Sequence, residues 1–176
     1  MKSLSRALTA ALVVAAVAVG GIVVAQAQQS TTSDEQQPLV EDFAYPNADR
    51  ILAEDNVKLI SGDGHILYVP CAQQPVNGIG LMEVRSTDLS IGPDEDGLIC
   101  FKVTASSGYL TLLVPDVFEI RGDGFGSTAG HKGTAVVRSE SGEQRTVDIK
   151  PNESQQVGIG VPGGSPDTLL RLEVKP

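Results

Sequence analysis

Tryptophan is missing from this chain, and histidine and cysteine are scarce, with two of each in 176 residues. The missing tryptophan removes the strongest provider of stacking area for sugars, and it removes the buried strand tryptophan that marks immunoglobulin domains. Two cysteines exclude a disulfide-dense scaffold, and without a C-x-x-C pair or clustered His and Cys there is no structural zinc motif. Positive charge is in short supply as well: 13 Lys and Arg stand against 22 Asp and Glu, for a net charge of -9. Such a surface repels phosphate backbones and anionic lipid headgroups, so nucleic acid is excluded as a partner class. No G-x-S-x-G elbow occurs, and no long apolar run follows Val24. The length fits one ordinary domain.

What is present begins with an export-type leader. Lys2 and Arg6 form a short positive region, and the 18-residue run from Ala7 to Val24 carries no charge before Ala25-Gln26-Ala27. Small residues at the -3 and -1 positions suit a signal peptidase, which predicts a signal peptide over residues 1–27 cleaved between Ala27 and Gln28. An uncleaved anchor is the alternative, since 18 residues of helix could span about 30 Å of hydrocarbon. Cleavage implies a secreted product with no stable membrane insertion. It also sharpens the composition. Of the hydrophobic residues that make up 41% of the chain, 19 precede Gln28, and loss of Lys2 and Arg6 deepens the charge from -9 to -11. Residues 28–40, opening QQSTTSDEQQP, read as a flexible tether to a domain over residues 41–176.

Within that domain one helix is expected, from Tyr45-Pro46 to Glu54, with Pro46 in its first turn and Ala48, Ile51 and Leu52 at helical spacing. Short apolar runs follow at Ile66–Val69, Leu81–Val84, Leu98–Val103, Leu110–Val114, Val117–Ile120, Ala135–Val137, Val147–Ile149 and Leu169–Val174. Alternation such as Leu110, Leu112, Val114 puts one face on a core and the other toward water. Asp63-Gly64, Ser107-Gly108, Asp123-Gly124, Ser141-Gly142 and Gly163-Gly164 punctuate the runs, and Ser139 to Glu143 reads as a hairpin connection. About eight short strands with one N-terminal helix predict an all-β, antiparallel sandwich or barrel-like domain.

In an exported chain, Cys71 and Cys100 are expected to form one structural disulfide, worth roughly 3.5 kcal/mol by chain entropy. Parity raises a difficulty. Cys71 shares a face with Leu67 and Val69, whereas Cys100 alternates against Ile99, Phe101 and Val103, so a bulge or an edge position must reconcile them.

The candidate sites all have plain readings. Arg121-Gly122-Asp123 spells an adhesion tripeptide, but followed by Gly124 it reads as a turn with glycine supplying positive φ. The acidic loop Ser86 to Gly97, with Asp88, Asp94, Glu95 and Asp96, offers carboxylates but lacks the closing acid of an EF-hand. His65 and His131 sit beside glycines, and His65 reads as a solvent-facing turn residue. Tyr45, Tyr68 and Tyr109 are expected at the rim or in the core. Asn152-Glu153-Ser154 matches the glycosylation triplet, which is idle outside a eukaryotic secretory route.

Asp42-Phe43-Ala44-Tyr45-Pro46, Gly62-Asp63-Gly64-His65-Ile66, Cys100-Phe101-Lys102-Val103-Thr104 and Gly108-Tyr109-Leu110-Thr111-Leu112 together carry a resemblance, extended by Pro115-Asp116-Val117-Phe118 and Ile120-Arg121-Gly122. Over Glu41 to Val174 the chain resembles a group of uncharacterised secreted proteins of streptomycete-type actinobacteria. That resemblance implies an exported bacterial protein and no particular chemistry. The residues predict no catalytic, cofactor-binding or metal-ligating set. The expectation is a secreted, non-catalytic sandwich whose partner is an extracellular protein or a cell-wall component. The alternatives are an extracellular hydrolase with a dispersed acid and His65-based site, and the same domain tethered by its uncleaved leader.

Overall fold

The computed structural model describes residues 43–126 and 129–176; the leader, the Ala27–Gln28 cleavage position and the tether lie outside the described residues. Among the described residues the order is α1 (Ala48–Asp55), β1 (Lys58–Gly62), β2 (Ile66–Val69), β3 (Met82–Ser86), β4 (Leu98–Val103), β5 (Gly108–Arg121), β6 (Lys132–Ser139), β7 (Gln144–Ile149), β8 (Ser154–Gln156) and β9 (Asp167–Lys175). A one-turn 3-10 helix, Gly158–Gly160, precedes β9. Every strand pairing is antiparallel, and the fold is all-β and sandwich-like.

The long strand β5 organises the molecule. Sequence alternation suggests two strands, Leu110–Val114 and Val117–Ile120, but the structure joins them as one bent strand of 14 residues. Pro115 has no N–H to give the ladder, and Asp116 takes a left-handed φ of 54°. Register slips against β9 between Val114 and Val117, and against β3 between Arg85 and Ser86. The bend is held from β3: Ser86 Oγ donates to the Pro115 carbonyl at 2.7 Å, and the Thr87 N–H to the Asp116 carbonyl at 3.0 Å. Before the bend β5 runs between β1 and β9; beyond it, β5 runs between β3 and β8. The order β2-β4-β3-β5-β9-β6-β7 thus turns over at β5. Met82, Val84, Ile99 and Phe101 from one half then share a single core with Leu110, Leu112, Leu169 and Leu172 from the other.

Two strands escape the hydrophobic pattern. β1 holds only Leu59 in the core while its neighbour Ile60 is exposed, so no alternation announces it. β8 has no apolar residue at all and pairs by its backbone with Glu119 to Arg121. The helix also starts later than expected: Tyr45-Pro46 form the turn before it, and α1 runs between Asn47 and Asn56, both left-handed. Asn tolerates that conformation better than most residues, which is why the helix ends where it does. The Ser139–Glu143 hairpin is present, with Ser139 N–H on the Glu143 carbonyl at 2.9 Å.

Cys71 and Cys100 are bonded, and the edge position resolves the parity conflict. Cys100 faces away from Ile99 and Phe101 and stands opposite Val69 of β2, an outermost strand. Because β2 stops at Val69, the chain is free to turn through Pro70 and bring Cys71 back over that outer face.

Candidate functional site

α1, strand β2 and the turn that leads from β1 into β2 enclose a recess of about 450 Å³. Its apolar walls come from Pro46, Ile51, Leu67, Val69 and Pro70, and two aromatic rings, Tyr45 and Tyr68, stand among them. The chain leaves β1, paired with β5, and enters β2, paired with β4, through a turn at Asp63-Gly64, where Gly64 takes a φ of 80°. Asp63 locks that turn by accepting the His65 and Tyr109 N–H groups, each at 3.1 Å.

The polar groups of the recess are already oriented by the protein. Tyr45 Oη accepts the Tyr68 N–H at 2.7 Å, which occupies a donor on the open edge of β2. Tyr68 Oη in turn donates to Asp55 Oδ2 at 2.9 Å. Burial pushes the Tyr68 phenol well above its ordinary value, and the Asp55 carboxylate, which the phenol donates to, adds to this, with Asp94 contributing charge from farther off. Burial also raises Tyr45, against the opposing effect of the Tyr68 N–H.

Unfolding returns both phenols to about 10, so above that pH the unfolded chain releases protons that the native state keeps. Their contribution to stability is complete below about pH 10 and is lost progressively as pH rises beyond it. Urea midpoints should therefore hold steady from about pH 8 to pH 9.5 and fall as pH rises past about 10. Tyr68→Phe should show a smaller fall, and an equal fall in both proteins would contradict this account.

The end of α1 and the loop from Ser86 to Gly97 meet beside the recess. Gly92 N–H donates to the Asp55 carbonyl at 2.9 Å, and Asn56 Nδ2 to Ser90 Oγ at 3.0 Å. The loop has four carboxylates and no Lys or Arg. Two of them close their own turns: Asp88 Oδ1 accepts Ser90 N–H and Oγ, and Asp96 Oδ1 accepts Leu98 N–H. Those bonds to Ser90 hold the Asp88 carboxyl below its usual range. Among the described residues no three His, Cys, Asp or Glu side chains cluster in a way that could hold a metal ion.

A second polar constellation is invisible to spacing rules. Asp123, whose side chain has 0% exposure, accepts the His131 N–H at 2.7 Å and faces His131 Nδ1 at 2.6 Å. The adhesion tripeptide is therefore not presented, because its Asp123 carboxylate is consumed inside the molecule. Gly124 also departs from expectation. It is not at positive φ; it is needed for space, since a Cβ there would lie 2.6 Å from the Ala129 carbonyl.

The sequence-predicted residues do not converge on one centre. His65 is a turn residue with 47% of its side chain exposed and Nδ1 3.5 Å from Asp63, as the plain reading has it. Among the described residues neither histidine ring is hydrogen-bonded to a serine or threonine hydroxyl; the Thr104 hydroxyl reaches the His65 backbone carbonyl instead, at 3.3 Å. Tyr45 and Tyr68 do pack against the core from its rim. No protein-family model matches the chain, and no curated protein does.

Proposed function

We propose that this protein is an exported, non-catalytic β-sandwich that binds an extracellular protein or a cell-wall component through the recess between α1, β2 and the turn that leads into β2. The recess carries the reading. A volume of about 450 Å³ lies within the range of ligand sites, and mainly apolar walls surround a few pre-oriented polar groups. Export is supported by the leader from Lys2 to Ala27 and by the resemblance to secreted actinobacterial proteins. The disulfide suits an oxidising compartment, and among the described residues no helix is long and apolar enough to cross a membrane.

Leu67→Trp tests the site, because an indole at that wall fills the space a partner would enter. Immobilised wild-type protein should retain material from culture supernatant or cell-wall fragments of the native host. The variant should retain none of it while unfolding at the same temperature. Equal retention by both proteins would remove the recess from the account, and retention of nothing by the wild type would overturn the binding reading itself.

A further inference from the structure

Resting on the recess as the binding site, we propose that its occupant is an extended segment of a partner polypeptide that presents a lysine or arginine between apolar neighbours, with the cationic head at Asp55.

The charge layout of α1 points that way. A helix accumulates partial negative charge at its C-terminus, where bases are favoured and acids are not. Here Glu54 and Asp55 close the helix, and its last turn holds no basic residue. That placement opposes helix stability, and such local conflicts concentrate where a sequence serves a ligand. Arg50 lines the rim of the recess, but it is turned along the helix to Glu54 at 2.9 Å, so it leaves Asp55 uncompensated. Asp55 is linked within the recess to Tyr68, and the charge of Asp94 reaches the same phenol.

The walls then discriminate between ligand classes. An anion would meet Asp55 and the acidic loop. A neutral apolar segment would strip water from the Asp55 carboxylate and return nothing for it. A basic side chain satisfies both demands: its head pairs with Asp55 beside the Tyr45 and Tyr68 rings, and its aliphatic stem covers Ile51 and Pro46. The recess is larger than one such side chain, and Leu67, Val69 and Pro70 provide apolar surface for the residues that flank it.

The test is fluorescence anisotropy of the full chain with labelled heptapeptides. Each has a central lysine, norleucine or glutamate between leucine and proline residues. The lysine peptide should bind about tenfold more tightly than the norleucine peptide, the glutamate peptide more weakly than both, and the preference should shrink in high salt. Asp55→Asn keeps an acceptor for Tyr68 Oη; it should erase the lysine preference, weakening the lysine peptide and, with no carboxylate left to desolvate, tightening the norleucine one. Asp94→Asn should weaken the lysine peptide only about twofold, as expected for a more distant charge. Equal binding of lysine and norleucine peptides, abolished in both cases by Leu67→Trp, would overturn the cationic occupant and leave the recess as the site. Failure of all three peptides would overturn the polypeptide occupant, with the recess itself then decided by the Leu67→Trp retention experiment.

Discussion

Removing the Cys71–Cys100 bond should lower the unfolding free energy by roughly 3.5 kcal/mol, the chain-entropy value for the 29-residue separation it closes. For a domain of this size that is a fall of roughly 12 °C in melting temperature. Cys71→Ala with Cys100→Ala is the appropriate variant, because Cys100 is buried and a serine there would hide a hydroxyl without a designed partner. The location matters more than the total. β2 has four residues, pairs with β4 alone, and on its other side gains the Tyr45 hydroxyl at Tyr68 N–H. The disulfide is therefore the strongest tie holding the end of β2 and the following loop to the sheet. Hydrogen exchange should accelerate first in residues 66–80 of the variant, with β5 and β9 protected nearly as before. A uniform loss of protection would show that the bond supports the whole fold rather than this edge. Free-thiol labelling of both cysteines in the unreduced protein would contradict the bond outright.

The same comparison of edge and centre explains what the amino-acid order discloses. Strands at the core announce themselves: Leu110, Leu112 and Val114 alternate because one face of β5 must leave water, and all three are fully buried. Ser154-Gln155-Gln156 is silent because β8 has no apolar face: backbone bonds to Glu119–Arg121 hold it, together with Ser154 Oγ and Gln156 Nε2 on the Glu119 carboxylate. Pro115-Asp116 looks like a stop between two strands, and only the pairing on both sides shows it to be a corner within one. The disulfide is legible from the export-type leader and the cysteine count, whereas its geometry depends on β2 ending at Val69. The recess is harder still to foresee. Tyr45, Asp55 and Tyr68 come from a turn, a helix end and an edge strand, and no spacing rule joins them. Asp123 and His131 fail to declare themselves for the same reason: each sits beside glycine, and the loop between them decides that they meet.

Phe101→Ala should cost about 4 kcal/mol, near the upper end for a single core truncation. The ring has 0% exposure and lies in β4 between Met82 of β3 and Tyr68 of β2, and the one adaptable neighbour, Met82, can fill only part of the void. Phe101→Leu keeps most of the volume and should cost less than about 1.5 kcal/mol, part of it the lost ring contact. That contact links core to recess. The Tyr68 ring meets Phe101 edge-on with centroids 6.2 Å apart, while its hydroxyl reaches Asp55 at 2.9 Å. Tyr68 is thus positioned from behind by Phe101 and from in front by Asp55. Phe101→Leu should leave the protein folded yet weaken the lysine peptide more than its small stability loss would suggest; undiminished binding would show that Asp55 alone positions Tyr68. Combining Phe101→Ala with loss of the disulfide should not give a simple sum, because Cys100 and Phe101 are adjacent in β4 and both hold β2. Once either variant has loosened that edge strand, the second has less native structure left to remove.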